Sequence, residues 1–416
     1  MFSRGLLIAG NGAGAGGDQT IGEAGQMGFG VGCYGGDPSD LDAMGLTPMD
    51  GCEDPSNENY GNYRHTNGSI MVFVPAFCYR IGNSAAPSYS RDRENALEIR
   101  DAALGEGDGW VLHRAFIDGG QQKLGFFFDK YICSKDSTGK VAISVKNGDN
   151  ISLHSSYVNS SGMQSGCDGK VYDSIILGRA RGEHYSVTTA FQWSAIAMLS
   201  LAHGQAATSS QWCGWYDANH SINFPKGNNN NLKDINDSSV TWTSNSGGYG
   251  SLGKTGSGKP FNKTTHNGQL CGITDVNGSQ WQVALGVMNP SGKIKALKES
   301  VLVHDITKDN RTTASFFDEM SIPYSDGWKY WGANAFDTSA FGIGRSLCGA
   351  MPKTYQGSGT ALMGNDGCYL NCYDDSVCFA AGRYDRGSSA GVWFRDFYLW
   401  SFGSFHYGFR VSGYAQ

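Results

Sequence analysis

The 416-residue sequence predicts an α+β fold dominated by long loops. Three features predict it: 60 glycines spread along the chain without a period, short apolar runs typical of strands, and one segment with clear helical spacing. Glycine at about twice its usual frequency of roughly 7% implies many turns, because it adopts left-handed backbone conformations without strain. A chain of this length can bury a large core, in one large domain or in two to three smaller ones.

The first 64 residues differ from the rest of the chain. They are glycine-rich, then acidic and turn-rich, with little periodic hydrophobicity. We therefore predict a poorly regular N-terminal segment, residues 1–64, that cannot form its own core and lies against a neighbouring copy or a larger assembly. Its apolar run, Leu6 to Ala9, is too short for a secretory signal or a membrane span, so we expect cytoplasmic synthesis without membrane insertion.

Regular elements are expected after this segment. SIMVFVPAFCYRIG is typical of a strand with a bend or sheet edge at Pro75, and GWVLHRAFIDGGQQKLGFFFDKYIC predicts two strands joined by a turn at Gly119 and Gly120. The clearest helix is TTAFQWSAIAMLSLAHG. Thr189 and Gln192 form a capping-box pattern at its start, and the glycine that closes the quoted stretch is placed to end it.

The middle of the chain predicts a long insertion. Residues 205–265 are polar and low in complexity, as in GNNNNLKDINDSS, and loops of this length are usually functional or mobile. Regular structure is expected to return with a strand at NGSQWQVALGVM, and again at ESVLVHDI.

Composition argues against several classes of function. A net charge of −6 with 17% charged residues gives no basic surface for nucleic acid. Eleven cysteines, an odd number without paired spacing, favour free thiols in a reducing cytosol over a disulfide framework. The cluster GCYLNCYDDSVC lacks the two-residue spacing and the fourth ligand of a structural zinc site. We therefore predict neither a metal nor a cofactor.

Two nucleotide-binding motifs are incomplete. GNGAGAGG contains G-x-G-x-x-G at Gly12, Gly14 and Gly17, but the sequence after it is too broken by glycine to form the required helix. In GKTGSGKP, Pro260 stands where a P-loop needs a magnesium-binding hydroxyl. The sequence has no G-x-S-x-G elbow and no H-E-x-x-H, although a catalytic triad that meets only in space stays open.

The order of these elements resembles a known family. SIMVFVPAFCYRIG, then GFFFDKYICSK, then the helix, and finally a glycine-punctuated segment ending in GFR resemble the C-type-lectin fold in its formylglycine-generating-enzyme-like form. More closely, they resemble the variable proteins of diversity-generating retroelements carried by phages, which act as tail-fibre receptor-binding proteins. The resemblance implies a C-type-lectin-like domain over residues 65–416.

In that family, adenine-specific mutagenesis rewrites codons near the 3′ end of the gene, and a variable segment is implied here at about residues 379–410. FAAGRYDRGSSAGVWFRDFYLWSFGSFHYGFR follows its outline: Ala381 and Gly382 match a pair of small residues, and residues 408–410 match the G-F-R ending. The variable, ligand-binding positions that the resemblance implies are Tyr384, Asp385, Arg386, Ser388, Ser389, Trp393, Arg395, Asp396, Tyr398, Trp400, Phe402, Phe405, His406 and Tyr407.

The aromatic window, GVWFRDFYLWSFGSFHYGFR (residues 391–410), also favours a binding surface by its composition. Aromatic and arginine side chains supply most interface energy, because they bury large areas with few rotatable bonds. A thick core strand is the alternative. The resemblance implies scaffold positions at Phe379, Val392 and Phe409, and we expect the following residues to face outward: Trp393, Tyr398, Trp400, Phe405, His406 and Tyr407.

The resemblance implies a phage tail-fibre or tail-tip adhesin, located in the virion and not an enzyme. It would bind a host-cell surface protein or glycan through residues 379–410, dock to virion tail proteins through the N-terminal segment, and form a homotrimer. A cysteine oxidase of the formylglycine-generating type is disfavoured, because no cysteine lies between Arg383 and Arg410. A purely structural virion protein leaves the aromatic window unexplained. Calcium-dependent sugar-binding motifs (E-P-N or Q-P-D with W-N-D) do not occur.

Overall fold

The computed structural model describes residues 19–247, 249–320, 326–332, 349–352, 354–357 and 365–415. The α-helices in these ranges are α1 (Pro38–Met44), α2 (Tyr89–Asp92), α3 (Asp173–Arg179) and α4 (Ala190–Ala206). The strands in the same ranges are β1 (Leu46–Pro48), β2 (Asn62–His65), β3 (Ile70–Pro75), β4 (Phe77–Ile81), β5 (Leu97–Asp101), β6 (Val111–Leu112), β7 (Ile117–Asp118), β8 (Gln121–Gln122), β9 (Gly125–Asp129), β10 (Ser134–Lys135), β11 (Ala142–Ile143), β12 (Tyr185–Val187), β13 (Trp281–Ala284), β14 (Val287–Met288), β15 (Lys295–Leu297), β16 (Phe317–Glu319), β17 (Gly327–Trp331), β18 (Tyr355–Gln356), β19 (Gly367–Leu370), β20 (Ser376–Ala381), β21 (Gly391–Leu399), β22 (Tyr407–Gly408) and β23 (Val411–Gly413).

The arrangement is mixed α+β, as the sequence predicts. Two sheets dominate it. A six-stranded sheet has the order β1-β2-β3-β9-β23-β12, and a seven-stranded sheet has the order β18-β17-β19-β21-β20-β13-β22. Both contribute to one continuous hydrophobic core, which also contains most of α4.

The predicted bend at Pro75 is confirmed. β3 ends at Pro75 in the six-stranded sheet, and β4 begins two residues later in a separate sheet with β5 and β6. The predicted turn at Gly119 and Gly120 also forms, with φ of 61° and 78° that suit a two-residue hairpin. Its strands, β7 and β8, are only two residues long, because the apolar run that follows enters the six-stranded sheet as β9.

Helix α4 begins with the predicted capping box. The Gln192 N–H donates to Thr189 Oγ1 at 3.1 Å, and the Thr189 N–H donates to Gln192 Oε1 at 2.9 Å. The helix continues past Gly204 to Ala206, so the predicted end is wrong. Gly204 serves close packing instead, since a Cβ there would lie 2.7 Å from the Asn223 carbonyl oxygen.

Residues 19–64 are packed on the core of the same chain, which corrects the prediction that this segment lies against a neighbouring copy or a larger assembly. Phe29 and Val31 are fully buried, and the Gly25 N–H donates to His203 Nδ1 of α4 at 3.1 Å. The predicted boundary after residue 64 falls inside β2, which pairs with β3. Glycines with positive φ, such as Gly30, give this segment turns without leaving it outside the core.

The predicted insertion has no helix or strand over its described residues 207–247 and 249–260, but polar contacts order it internally. Asp234 is buried, and its carboxylate accepts the N–H groups of Gly227 at 2.7 Å and Asn236 at 2.8 Å. The asparagine-rich stretch is therefore an internal hydrogen-bond network. Further along, NGSQWQVALGVM forms β13 and β14, whereas ESVLVHDI forms only a 3₁₀ turn over Val303–Asp305.

Candidate functional site

Strand β21 divides the aromatic window between two faces of the seven-stranded sheet. Successive side chains of a strand point to opposite faces. Trp393 lies on the face towards α4, where it lines a cavity of about 90 Å³ together with Leu201 of that helix. Phe394 lies on the opposite, outer face, with its ring 6.1 Å from that of Trp328. Asp396 shares this outer face by the same alternation.

The side chains on the face towards α4 are part of the core. Trp393 is 2% exposed, and its ring lies 5.0 Å from that of Trp331. Arg395 is fully buried and donates from Nε to the Ala350 carbonyl at 2.8 Å, and from Nη1 to two carbonyls of its own strand. Neither side chain is available to a partner in this structure.

Six of the fourteen predicted variable positions are buried, and their predicted exposure is wrong: Tyr384, Trp393, Arg395, Asp396, Trp400 and Tyr407. Trp393 and Arg395 are buried because β21 is a central strand between β19 and β20 and α4 covers the face on which they lie. Outside β21, the rings of Tyr249 and His406 pack on Tyr384, the Phe379 ring stacks on Tyr407, and Trp400 belongs to the hydrophobic core. The other eight reach solvent in part: Asp385, Arg386, Ser388, Ser389, Tyr398, Phe402, Phe405 and His406. Ligand binding at these positions stays a prediction.

The exposed rings form an extended apolar surface on the outer face. We define the aromatic surface by six side chains that are exposed or half-buried: Tyr157, Tyr249, Tyr398, Phe402, Phe405 and His406. The Phe405 ring lies 4.7 Å from Tyr249 and 5.6 Å from Tyr157, and the Tyr398 and Phe402 rings lie 4.9 Å apart. Tyr407 lies beneath the surface and links the Tyr398–Phe402 pair to the rings around Phe405. Its ring lies near that of Tyr398 and contacts that of Trp281, and Trp281 lies beside His406.

Sequence reasoning missed Tyr157 and Tyr249. Tyr157 is 51% exposed and has a φ of 61°, a left-handed conformation that a bulky residue adopts rarely and often at functional sites. Tyr249 comes from the predicted insertion. Each is a single tyrosine in a stretch rich in glycine, serine and asparagine. This composition is typical of binding loops, and it is the signal in the sequence that could have identified them.

The loop between β20 and β21 is held by its backbone. The Tyr384 N–H donates to the Ser279 carbonyl at 3.1 Å, and the Tyr384 carbonyl accepts the Asn231 N–H at 2.7 Å. The Gly387 N–H donates to the Asn229 carbonyl at 2.8 Å. The predicted insertion therefore shapes the outer face, and these bonds do not depend on the side chains that the loop exposes.

The G-F-R ending is structural. Phe409 and Phe379 are fully buried and Val392 is 4% exposed, as predicted for the scaffold. Arg410 is also fully buried; its Nε donates to Gln282 Oε1 at 2.6 Å, and its two terminal nitrogens donate to four backbone carbonyls, those of Asp129, Lys130, Thr274 and Asp275. This side chain fixes β13 and β9 to the last residue of the aromatic window.

The outer face holds one buried carboxylate beside two arginines. Asp396 is 8% exposed, and burial raises its pKa to about 7, although Arg386 and Arg383 favour the ionised form. The guanidinium carbons of Arg383 and Arg386 lie 4.9 and 5.1 Å from the centre of the Trp281 ring, within cation–π range. This arrangement combines an acceptor, cationic donors and an aromatic ring in one place.

The thiols beneath the outer face are not arranged for redox or metal chemistry. Cys368 and Cys378 are buried on β19 and β20, and burial raises the pKa of both, that of Cys378 to about 12. A protonated thiol is a poor nucleophile and metal ligand. Among the described residues, no group of three His, Cys, Asp or Glu side chains could hold a metal ion, and no helix is long and apolar enough to cross a membrane.

No protein-family model matches this chain, and no curated protein is significantly similar to it. Among solved structures, the chain is similar to one titled "Major Tropism Determinant U1 Variant", at 11% sequence identity and a TM-score of 0.30. The match covers 83% of this chain and 63% of the other. A likeness this weak does not assign a family or a function to this chain.

Proposed function

We propose that this protein is a receptor-binding adhesin of a phage tail, and that it attaches to a host-cell receptor through the aromatic surface. The observation that carries the proposal is the aromatic surface itself. Exposed apolar patches of this kind usually mark a binding site, and aromatic side chains beside arginines dominate interface energy. Three separate segments of the chain contribute to the surface: Tyr157, Tyr249 and residues 398–406. The surface is therefore not produced by a single loop.

The resemblance to retroelement variable proteins supports the same function. β3, β9, α4 and the segment from β20 to Arg410 occur in the order on which the resemblance rests. We propose a C-type-lectin-like fold for this part of the chain, with diversification at the eight variable positions that reach solvent. The six buried positions then belong to the scaffold of this variant.

Recognition in this proposal is non-covalent and without turnover. The cysteine-oxidase alternative has no cysteine between Arg383 and Arg410, and the buried thiols of β19 and β20 are held protonated. A homotrimer would raise avidity by presenting several surfaces together. Docking to the virion would use residues 1–18, which lie outside the described residues, or the exposed acidic side of residues 37–58.

The test removes two exposed rings from opposite ends of the aromatic surface. The double variant Tyr157→Ala with Phe402→Ala is expected to lose binding of the fluorescently labelled protein to a panel of bacterial strains, with a melting temperature within about 2 °C of the parent, since exposed side chains contribute little to stability. Leu104→Ala is the matched control, because Leu104 is exposed, apolar and outside the seven-stranded sheet. Retained attachment in the double variant would contradict the proposal.

A genomic observation tests the diversification separately. A near-copy of the gene's 3′ end that differs mainly at adenines, next to a reverse transcriptase gene, is expected beside this gene. Its absence would leave an ordinary adhesin with a fixed surface.

A further inference from the structure

A cavity of about 380 Å³ lies beside β12, the edge strand of the six-stranded sheet. We call it the β12 cavity. Its lining residues come from four stretches of the chain: Asp118 and Lys123 of the β7–β8 hairpin and its exit, residues 179–186 from the end of α3 to β12, residues 302–305, and Ser412 and Tyr414 in and after β23. None of them belongs to the seven-stranded sheet or to the aromatic surface.

Hydrogen bonds between the stretches hold the walls of the cavity in place. The Val303 N–H donates to Asp118 Oδ1 at 2.8 Å, and His304 Nδ1 donates to the Tyr185 carbonyl at 2.8 Å. The cavity is therefore formed by the chain alone, as most small-molecule sites are, and its volume lies in their usual range of roughly 300–1,000 Å³.

The cavity lies at the surface of the molecule and extends to buried side chains. Leu302 is 42% exposed, Glu183 and Asp305 are also exposed, and all three line the cavity. Asp118 and Ser186 line it as well, and they are only 6% and 3% exposed. A ligand from solvent can therefore enter beside the exposed residues and approach the buried ones.

Three of the lining residues have a buried polar atom without a hydrogen-bond partner: Arg179 Nη1, His184 Nδ1 and Ser186 Oγ. Such atoms cost free energy, so native structures keep few of them and each needs a reason. Ser186 pairs with Ser412 across β12 and β23, so the two side chains point to the same side of the sheet, and both line the cavity. Ser412 Oγ donates to Gln192 Oε1 at 2.8 Å, which leaves the Ser186 hydroxyl as the one available to a ligand.

Two positive charges in the lining are also unpaired. Arg179 and Lys123 are half-buried, and neither forms an ion pair with a carboxylate of the described residues. The lining carboxylates oppose them weakly. Glu183 and Asp305 are exposed, so water and salt screen their charge, and burial raises the pKa of Asp118, which favours its neutral form.

The chemistry of these groups specifies the class of ligand. A guanidinium and an ammonium can only donate hydrogen bonds, and a serine hydroxyl can donate one. A cationic ligand would meet Arg179 and Lys123, and a neutral ligand would leave both charges without a counterion. The oxygens of a carboxylate or a phosphate accept from all three side chains and match the paired N–H groups of a guanidinium.

We infer that the β12 cavity binds a small organic anion, whose carboxylate or phosphate group accepts hydrogen bonds from Arg179, Lys123 and Ser186. This inference goes beyond the proposed function and does not depend on it, because the cavity shares no residue with the aromatic surface. Folding brings the four stretches together, so the anion binds the folded chain and stabilises it.

The experiment titrates the full-length protein with succinate, glycerol 3-phosphate and inorganic phosphate in a calorimeter, with glycerol as the neutral probe at equal ionic strength. The two kinds of anion show which head group the cavity prefers. The parent is expected to bind one anion per chain and to ignore glycerol. At about a hundredfold excess over the dissociation constant, the anion is expected to raise the melting temperature by about 3 °C.

Arg179→Gln is expected to lose about tenfold or more in affinity, because charge-assisted hydrogen bonds are the strong ones. Arg64→Gln is the matched control, since Arg64 is exposed on β2, and it is expected to bind as the parent does. Phosphate also stabilises folded proteins in general by exclusion from their surface. An equal rise of the melting temperature in the parent and in Arg179→Gln would therefore overturn the inference, as would a parent that binds none of the anions at millimolar concentration.

Ser186→Ala tests the hydroxyl without risk to the fold. Removal of a buried hydroxyl that has no partner is expected to leave the melting temperature of the free protein equal or higher, and to weaken anion binding. A lower melting temperature with unchanged anion binding would show that the hydroxyl serves the fold and would overturn its assignment. The double variant of Tyr157 and Phe402 is expected to keep anion binding, so a failure of the adhesin proposal and a failure of this inference are distinguishable.

Discussion

Trp393→Ala tests the division of the aromatic window into core and surface. The indole is 2% exposed, lies 5.0 Å from the Trp331 ring, and shares a cavity of about 90 Å³ with α4. Truncation of a buried tryptophan costs about 3–5 kcal/mol. The existing cavity is lined in part by Asp366 and is open to water, so the lower half of that range is expected.

The expected loss of free energy of unfolding corresponds to a measurable drop in the melting temperature. At about 2.1 cal/mol/K per residue, unfolding 416 residues changes the entropy by about 0.9 kcal/mol/K. A loss of about 3–4 kcal/mol therefore lowers the melting temperature by about 3–5 °C, which circular dichroism or differential scanning calorimetry resolves.

Phe402→Ala is the comparison within the same window. Phe402 is 42% exposed, so its truncation is expected to cost less than about 1 kcal/mol and to shift the melting temperature by about 1 °C or less. Equal shifts for the two variants would refute the assignment of Trp393 to the core. They would also restore the original expectation that Trp393 faces outward.

Two further predictions concern groups that are buried in the fold. Arg410→Met is expected to give insoluble protein, because it leaves several buried carbonyls without a donor at about 1–3 kcal/mol each, and Arg410→Lys is expected not to rescue the soluble fraction. The two buried histidines are expected to contribute stability that is lost as the pH drops from about 6.5 to 4, because unfolded imidazoles take up protons in that range whereas burial lowers the pKa of His203 to about 4 and of His266 to about 3. The buried carboxyl of Asp396, whose pKa is raised to about 7, contributes in the opposite direction, so the histidine contribution is measured as the difference between the urea-unfolding profiles of the parent and of His203→Gln. Equal slopes for the two proteins would show that His203 is not held neutral.

The sequence correctly predicted the features that depend on a few neighbouring residues. The capping box of α4 needs only Thr189 and Gln192 at the right spacing, and Pro75 ends a strand because it lacks an N–H. In both cases neighbouring residues carry enough information to fix the outcome. The burial of Phe409, in contrast, was predicted from the resemblance of the G-F-R ending.

The faces of β21 could not be assigned in this way. Its residues are nearly all aromatic or large, so no alternation of polar and apolar side chains marks which ones face α4. The buried Arg395 is the extreme case, because its charge suggests a surface position and only the Ala350 carbonyl and its own strand explain its burial. Tyr157 and Tyr249 reach the aromatic surface only through folding, at more than 150 residues from Phe405.

The position of β23 makes folding of the chain depend on its last residues. β23 is an interior strand of the six-stranded sheet, hydrogen-bonded to β9 on one side and β12 on the other, and it follows directly after Arg410. A stop codon or frameshift anywhere in the aromatic window removes β23 and exposes the edges of both neighbouring strands. A chain that ends or changes frame within the aromatic window is therefore expected to misfold, and the soluble protein is expected to consist of chains translated through the whole window.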